Sequence, residues 1–173
     1  MGRGVTVGAF ARLDVVDKVG ALSDPACPVE VIRTGAGAED WWVRRAAVGN
    51  PGAPEDVIRG GAGDKHPVVR AVAVGNPGAP EDVIRAGIAD NTPLVREAAV
   101  AHPRVPDDVI AVGASDRCLR VRKAVALSPC ITEEAAERLS RSKTEEIQRR
   151  LAKNPAVPER IRVVALMRAD AAA

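Results

Sequence analysis

Apolar residues occur in short blocks with helical spacing, and the same blocks return along most of the chain. In the block PVVRAVAVG, residues 67–75, the apolar side chains of Val69, Val72 and Ala73 share one helical face at i, i+3 and i+4. A second block, PEDVIRAG at residues 80–87, starts with proline and two acids, which suit the positive end of a helix dipole. The pattern predicts two short helices per unit, the first an α-helix and the second either α or 3-10.

Prolines mark a period of 26 residues in this pattern. One series comprises Pro25, Pro51, Pro77, Pro103, Pro129 and Pro155, and a second comprises Pro28, Pro54, Pro80, Pro106 and Pro158, with Thr132 in the remaining slot. Such a register indicates an array of repeats, in which each unit contacts mainly its neighbours. We therefore predict an all-α solenoid with a repeat array over residues 24–157. An N-terminal capping helix, Phe10 to Leu22, would lie within residues 1–23, and a C-terminal capping helix and tail would occupy residues 158–173.

Composition narrows the class of protein further. Aromatic residues make up only 2% of the chain while apolar residues make up 46%, so the core has to be built from small aliphatic side chains. No apolar run approaches the ~18 residues of a membrane span, and the first ten residues, MGRGVTVGAF, do not resemble a secretory signal. We expect a cytoplasmic protein. The three cysteines have unrelated spacings, which argues against a disulfide framework or a zinc site.

Charge is distributed unevenly along the chain. Residues 1–116 hold 12 basic and 16 acidic side chains, whereas residues 117–168 hold 13 basic and six acidic ones. One interpretation is that the basic part contacts nucleic acid; the other is that a terminal repeat needs a polar outer face. The nucleic-acid contacts would be Arg120, Arg122, Lys123, Arg149, Arg150 and Lys153.

The repeat resembles a known family. The stretches VRRAAVGNPGAPEDVIR (residues 43–59) and VREAAVAHPRVPDDVI (residues 95–110) are similar to the leucine-rich repeat variant, or LRV, of bacterial proteins. The resemblance covers about residues 24–168. It implies alternating α and 3-10 helices in a right-handed superhelix without strands, and a fold similar to HEAT-like repeats, which include a group of DNA-repair glycosylases. The iron–sulfur centre of the family's founding member is not implied here, because no cysteine precedes Asp24.

Charged residues recur at fixed positions of the repeat. One arginine column comprises Arg44, Arg70, Arg96 and Arg122, a second comprises Arg33, Arg59 and Arg85, and an acidic column comprises Glu55-Asp56, Glu81-Asp82 and Asp107-Asp108. Under one interpretation the columns pair across repeats and orient the helices. Under the other, an arginine column binds carboxylates or phosphates of a partner, because guanidinium donates to both oxygens of such groups.

Two further groups of residues stand out. A polar series before the first prolines is expected to bond backbone groups and is structural: Asn50, Asn76, His102, Ser128 and Asn154. The only aromatic pair is Trp41-Trp42, which follows Asp40. One tryptophan would pack on the N-terminal cap, and the other would be an exposed interface anchor. A tryptophan beside a carboxylate could also receive a flipped base.

The sequence favours a non-enzymatic scaffold that binds a protein or peptide through Trp41, Trp42 and the arginine column. The alternative is a nucleic-acid-binding module related to helical-repeat glycosylases. No phosphate loop, metal-ligand spacing or Ser-His-Asp arrangement points to an enzyme, a cofactor or a metal.

Overall fold

The computed structural model describes residues 5–171, and this part of the chain is helical and contains no strand. Residues 1–4 of the predicted N-terminal cap and residues 172–173 of the predicted tail lie outside it. Thirteen helices are present among the described residues. They are α1 Val7–Ala11, α2 Val15–Ser23, α3 Val29–Ala36, α4 Trp41–Gly49, α5 Glu55–Ala62, α6 Pro67–Gly75, α7 Glu81–Gly87, α8 Pro93–Val100, α9 Asp107–Gly113, α10 Leu119–Leu127, α11 Glu133–Ser140, α12 Glu145–Lys153 and α13 Glu159–Asp170.

The N-terminal region holds two helices, so the prediction of one capping helix from Phe10 to Leu22 is wrong. The break falls at Asp14, whose carboxylate accepts a hydrogen bond of 2.8 Å from the backbone N–H of Asp17 and thereby starts α2. Since α2 begins at Val15 and α4 at Trp41, the two helices begin 26 residues apart. The region is therefore in register with the repeats that follow it.

The even-numbered helices from α2 to α12 are called the first helices, and the odd-numbered helices from α3 to α13 the second helices. All second helices are α-helical, which decides between the two forms that the sequence allowed and differs from the 3-10 geometry that the LRV resemblance implied. The prolines Pro28, Pro54 and Pro106 stand at the N-cap of α3, α5 and α9. There the missing proline N–H costs nothing, and acids follow in the first turn.

The helices form two compact units, residues 1–83 and residues 84–173. Within each unit, consecutive first helices pack side by side. The second helices α3, α5, α9, α11 and α13 pack against neighbouring first helices. The core between them is built from buried Val, Ile, Leu and Ala. The composition predicted such an aliphatic core.

Buried asparagines join consecutive repeats inside each unit. In the first, Nδ2 of Asn50 donates to the carbonyls of Leu22 at 2.6 Å and Asp24 at 2.8 Å, both in the preceding repeat, and its Oδ1 accepts from the backbone N–H of Gly52 at 2.7 Å. In the second, Asn154 makes the same two donations, to Ala126 and Ser128. The prediction that this polar series is structural is confirmed at these positions.

Helices long and apolar enough to cross a membrane are absent from the described residues.

Candidate functional site

A cleft of about 410 Å³ lies on the exposed side of the first helices of the second unit. Its lining comes from α8, α10 and α12 and from the turn after α10, namely Glu97, Ala101, Arg120, Lys123, Ala124, Leu127, Ser128, Pro129 and Arg150. Small side chains and the half-exposed Leu127 form an apolar floor, and basic side chains surround it. We call it the basic cleft.

A second cleft, of about 270 Å³, lies on the first helices of the first unit. It is lined by Val19, Ser23, Arg45, Ala46, Gly49, Asn50, Pro51 and Val72. Each of these residues has a counterpart 78 residues later in the lining of the basic cleft. For example, Val19 corresponds to Glu97, and Val72 corresponds to Arg150. The spacing equals three repeats, so the same surface of the repeat forms a cleft in both units. We call this one the apolar cleft.

Three of the predicted nucleic-acid contacts, Arg120, Lys123 and Arg150, line the basic cleft together. Glutamates of the same helices engage them. Arg120 pairs with Glu97, while Glu146 accepts from Nζ of Lys123 at 2.5 Å and from Nη2 of Arg150 at 2.8 Å. These hydrogen bonds, first from Lys123 and then from Arg150, hold the pKa of Glu146 below its usual value.

The other predicted basic contacts lie outside the lining of this cleft. Arg149, on α12, pairs with Glu145, one turn before it. Lys153 is the exposed last residue of α12. Arg122 is partly buried, and its Nη1 donates to the carbonyl of Asp116 at 2.6 Å and to that of Arg117 at 3.1 Å.

The predicted arginine column is largely internal, and this is a correction for Arg44 and Arg96. Both are more than nine-tenths buried. Arg44 donates to both oxygens of Asp64 at 2.6 and 3.0 Å, and Arg96 does the same to Asp116 at 2.6 and 2.9 Å. Guanidinium groups held in this way have no free edge for a partner. Arg70, in the same column, is partly buried and donates to the carbonyls of Asp64 and Lys65.

These buried pairs also lower the pKa values of their aspartates. The hydrogen bonds from Arg44 hold the pKa of Asp64 below its usual value against the opposing effect of burial, and Arg96 acts on the pKa of Asp116 in the same way. Both carboxylates also accept a backbone hydrogen bond at the start of the next first helix, from the N–H of His66 and of Cys118. Each pair thus ties one first helix to the loop before the next.

The second arginine column pairs across repeats, as one of the two interpretations predicted. Second helices are joined at their exposed edges by the pairs Arg33–Asp56, Arg59–Asp82 and Arg85–Asp108, and, with the charges exchanged, by Glu137–Arg160. The residues of each pair are 23 positions apart. Exposed pairs of this kind stabilise the fold only weakly.

The two tryptophans differ in exposure. Trp42 is 49% exposed, and the guanidinium of Arg45 lies 5.8 Å from the centre of its ring. Trp41 is partly buried between two rings, stacked on Trp42 at 4.3 Å and on His66 at 4.0 Å. Trp42 therefore fits the predicted exposed anchor, while Trp41 packs toward the next first helix.

Asp40 is engaged in capping α4. Its Oδ1 accepts a hydrogen bond of 2.8 Å from the backbone N–H of Trp42. The carboxylate that was considered for a flipped-base site therefore has a structural role. Among residues 5–171, no group of three or more His, Cys, Asp or Glu side chains is placed to hold a metal ion.

The sequence analysis missed Glu97 and Leu127 in the lining of the basic cleft, and Glu146, which pairs with Lys123 and Arg150. Their positions carried a usable signal. Arg45, Lys123 and Arg149 occupy one position of the 26-residue period, and Trp42, Arg120 and Glu146 occupy another. Variable residues at a fixed position, next to invariant buried ones, indicate a surface that differs between repeats.

Comparison with protein-family models and with curated protein sequences finds no match for this chain.

Proposed function

We propose that this protein is a binding scaffold, whose first helices hold a protein or peptide segment in the clefts along their exposed surface. The observation that carries the proposal is the recurrence of one cleft in both units, at positions 78 residues apart. Eight equivalent positions of the repeat line a cleft in both units, so the first helices present the same kind of groove twice. Repeat arrays offer extended surfaces of this kind, and the resemblance to LRV and HEAT-like repeats, with the superhelix it implies, agrees with the same role.

The residues at the clefts suit contact with protein. Trp42 and Leu127 are apolar side chains about half exposed on the first helices, and Leu127 lies in the floor of the basic cleft. Exposed apolar side chains rimmed by polar groups are typical of protein-binding surfaces. Tryptophan is one of the residues most often found at the energetic centre of an interface.

Leu127→Asp is the variant that tests the proposal, with Val112→Asp as its matched control. The two side chains are equally exposed, at 53% and 54%, but Leu127 lies in the basic cleft and Val112 on a second helix of the same unit. We expect cross-linking and affinity capture to retain partners with the wild-type chain and with Val112→Asp, and to lose them with Leu127→Asp. Equal retention by all three chains would contradict the proposal.

A second candidate function is nucleic-acid binding, because Arg120, Lys123 and Arg150 line one cleft. The glutamates Glu97 and Glu146 pair with these three cations and reduce the positive charge that phosphates would meet. Fluorescence anisotropy with duplex and single-stranded DNA at two salt concentrations separates the candidates. Binding that survives physiological salt would favour nucleic acid, whereas weak binding lost with added salt is expected of any basic surface.

A further inference from the structure

We infer that the basic cleft takes an acidic peptide with an apolar side chain, and that Glu97 and Glu146 occupy its cations until the peptide displaces them. This inference rests on the proposed function and specifies the chemistry of the partner. It follows from the composition of the cleft, from the ion pairs inside it and from the contrast with the apolar cleft.

The floor of the basic cleft calls for an apolar group. Ala101, Ala124, Leu127 and Pro129 present carbon atoms to the opening, and Leu127 is the largest of them and 53% exposed. A leucine or a similar side chain of a partner would cover this surface and remove it from water. A phosphate backbone would leave it exposed, because nucleotides bind protein surfaces through charge and through stacking on aromatic rings. None of the residues that line the basic cleft is aromatic.

The rim of the cleft calls for carboxylates. Arg120, Lys123 and Arg150 each bond a glutamate that is itself at least a quarter exposed, with exposures of 27% for Glu97 and 48% for Glu146. Partners as exposed as these exchange readily with water and with competing ions. Glu97 and Glu146 of the chain itself thus show that these cations bind carboxylates. A glutamate or aspartate of a peptide can replace them at little cost in free energy.

The apolar cleft shows that these charges are a local feature of the second unit. In its lining, Val19 takes the position of Glu97 and Val72 that of Arg150. The counterpart of Arg120 in the sequence is Trp42, which lies outside that lining. A cation, Arg45, remains at the position of Lys123, whereas Arg120 and Glu97 are absent together. This is the pattern expected if the glutamate serves to neutralise a binding cation in the free protein.

The test uses the full chain labelled with nitrogen-15 and a short acetylated peptide of glutamates around a central leucine. Its matched peptides carry glutamine for every glutamate or alanine for the leucine, and a thymidine oligonucleotide serves as the nucleic-acid probe. Chemical shifts of the backbone amides of Ala101, Ala124 and Leu127 report occupation of the cleft, even for weak binding. We expect the acidic leucine peptide to move these amides, and each matched peptide to require several-fold higher concentration.

Glu97→Gln separates displacement from simple attraction, with Glu134→Gln as its control. Glu134 lies exposed on α11 and outside the lining of the cleft, so both variants change the net charge equally. Removal of the internal competitor should tighten binding of the acidic peptide about two- to fivefold, the range expected for an exposed ion pair. The control should bind as the wild type does.

Each other outcome overturns the inference and bears differently on the proposed function. If the glutamine peptide moves the same amides equally, the cleft binds peptides without selecting acids, and the scaffold proposal stands. If no peptide moves them while capture still depends on Leu127, the ligand chemistry is wrong and the scaffold proposal again stands. If the oligonucleotide moves them at lower concentration than the acidic peptide does, the nucleic-acid candidate replaces both. Equal binding by Glu97→Gln and the control removes the displacement step.

Discussion

Cations on the first helices differ in whether they are buried in the fold or exposed to solvent. Arg96 forms two hydrogen bonds with Asp116 and two more with backbone carbonyls of Asp90 and Asn91, so four of its donor contacts are met inside the unit. Lys123, two residues after the buried Val121 on the next first helix, reaches a glutamate that water also reaches. The side of the helix on which a cation lies therefore decides whether it is buried in the fold or reaches the solvent.

The buried pair predicts a specific response to acid. Asp116→Asn should lower the free energy of unfolding at neutral pH by about 3 kcal/mol, because the buried guanidinium of Arg96 loses its counter-charge. Because the pKa of Asp116 is lower in the folded chain than its unfolded value of about 3.9, its contribution is present above that value. It is lost as the pH falls through the folded pKa.

Urea unfolding at neutral pH and at a series of pH values toward 3 measures this response. The stability of the wild type and of Asp116→Asn should converge on acidification. Asp108→Asn is the control, since Asp108 pairs with Arg85 at an exposed edge and its loss should cost less than about 1 kcal/mol. A difference between wild type and Asp116→Asn that stays constant with pH would contradict the argument.

The sequence predicts some of these roles and not others, for physical reasons. Pairing between Arg33 and Asp56 follows from the columns alone, because both lie at fixed places on short second helices. The burial of Arg44 does not, since its partner Asp64 lies in a loop 20 residues later and the direction of the side chain depends on how first helices pack. An aspartate 20 residues after each of Arg44, Arg70 and Arg96, but a serine after Arg122, was the signal that could have shown it.

Glycines on second helices leave room for side chains of the neighbouring first helices. A Cβ added at Gly61 of α5 would lie 2.7 Å from both Cγ atoms of Val48 on α4, whereas one added at the adjacent Gly60 would meet no atom within 4 Å. Gly113 of α9 faces Val100 in the same way in the second unit, but the relation reverses at α11. Leu139 occupies the place of Gly61 in its repeat, and Ala126 occupies the place of Val48, both buried. A large side chain on one helix is thus matched by a small one on the other.

This complementarity predicts opposite effects for neighbouring glycines. Gly61→Ala should lower the free energy of unfolding by about 1–3 kcal/mol through overpacking against Val48. Gly60→Ala should raise it by roughly 0.5–1 kcal/mol, because alanine favours the helix and nothing obstructs it. In the double variant Gly61→Ala with Val48→Ala, the combined loss should be smaller than the sum of the single losses. Denaturant unfolding of the wild type, Gly61→Ala, Val48→Ala and the double variant measures these losses in the free energy of unfolding. Additive losses would refute the packing argument.

Helix boundaries could be predicted from the sequence where a proline marks them, and the prediction failed at the N-terminal helices, where none does. The starts of α6 and α8 coincide with Pro67 and Pro93. The N-terminal helices have no proline to separate them, and the decisive residue, Asp14, was recognisable only as the counterpart of Asp40, which caps α4 in the same way.

At the scale of the whole molecule, the two units share one repeat and differ in the residues that their clefts expose. Buried positions vary little: Ile58 in the first unit corresponds to Ile84 and Ile110 in the second, all three buried. Cleft positions change from Val19 to Glu97 and from Val72 to Arg150. The uneven charge of the sequence is thus expressed in the second unit at a surface where a ligand can meet it, as well as at polar positions elsewhere.

If the cleft residues that differ between the two units determine which peptide binds, placing the residues of the basic cleft in the apolar cleft should create a second site for the acidic peptide. The double variant Trp42→Arg, Val72→Arg gives the apolar cleft the cations of the basic cleft, beside Arg45, which already matches Lys123. We expect the acidic leucine peptide, which binds the wild type once per chain, to bind this variant twice. The guanidinium introduced at position 42 would have Val19 where Arg120 has Glu97, so no glutamate of the chain competes with the peptide for it.

Isothermal titration calorimetry gives the stoichiometry, and amide shifts of Ala46 and Gly49 show whether the additional peptide lies in the apolar cleft. Trp42→Gln with Val72→Gln is the matched control, since it removes the same apolar side chains without adding charge, and it should bind a single peptide. A second site that appears equally in the glutamine variant would mean that removing the tryptophan opened the cleft. A stoichiometry of one in the arginine variant would mean that cations at these positions are not sufficient for acidic-peptide binding. The remaining difference in the floor is that the apolar cleft has Gly49 where the basic cleft has Leu127. Adding Gly49→Leu to the arginine variant would then test directly whether the apolar contact is the missing requirement.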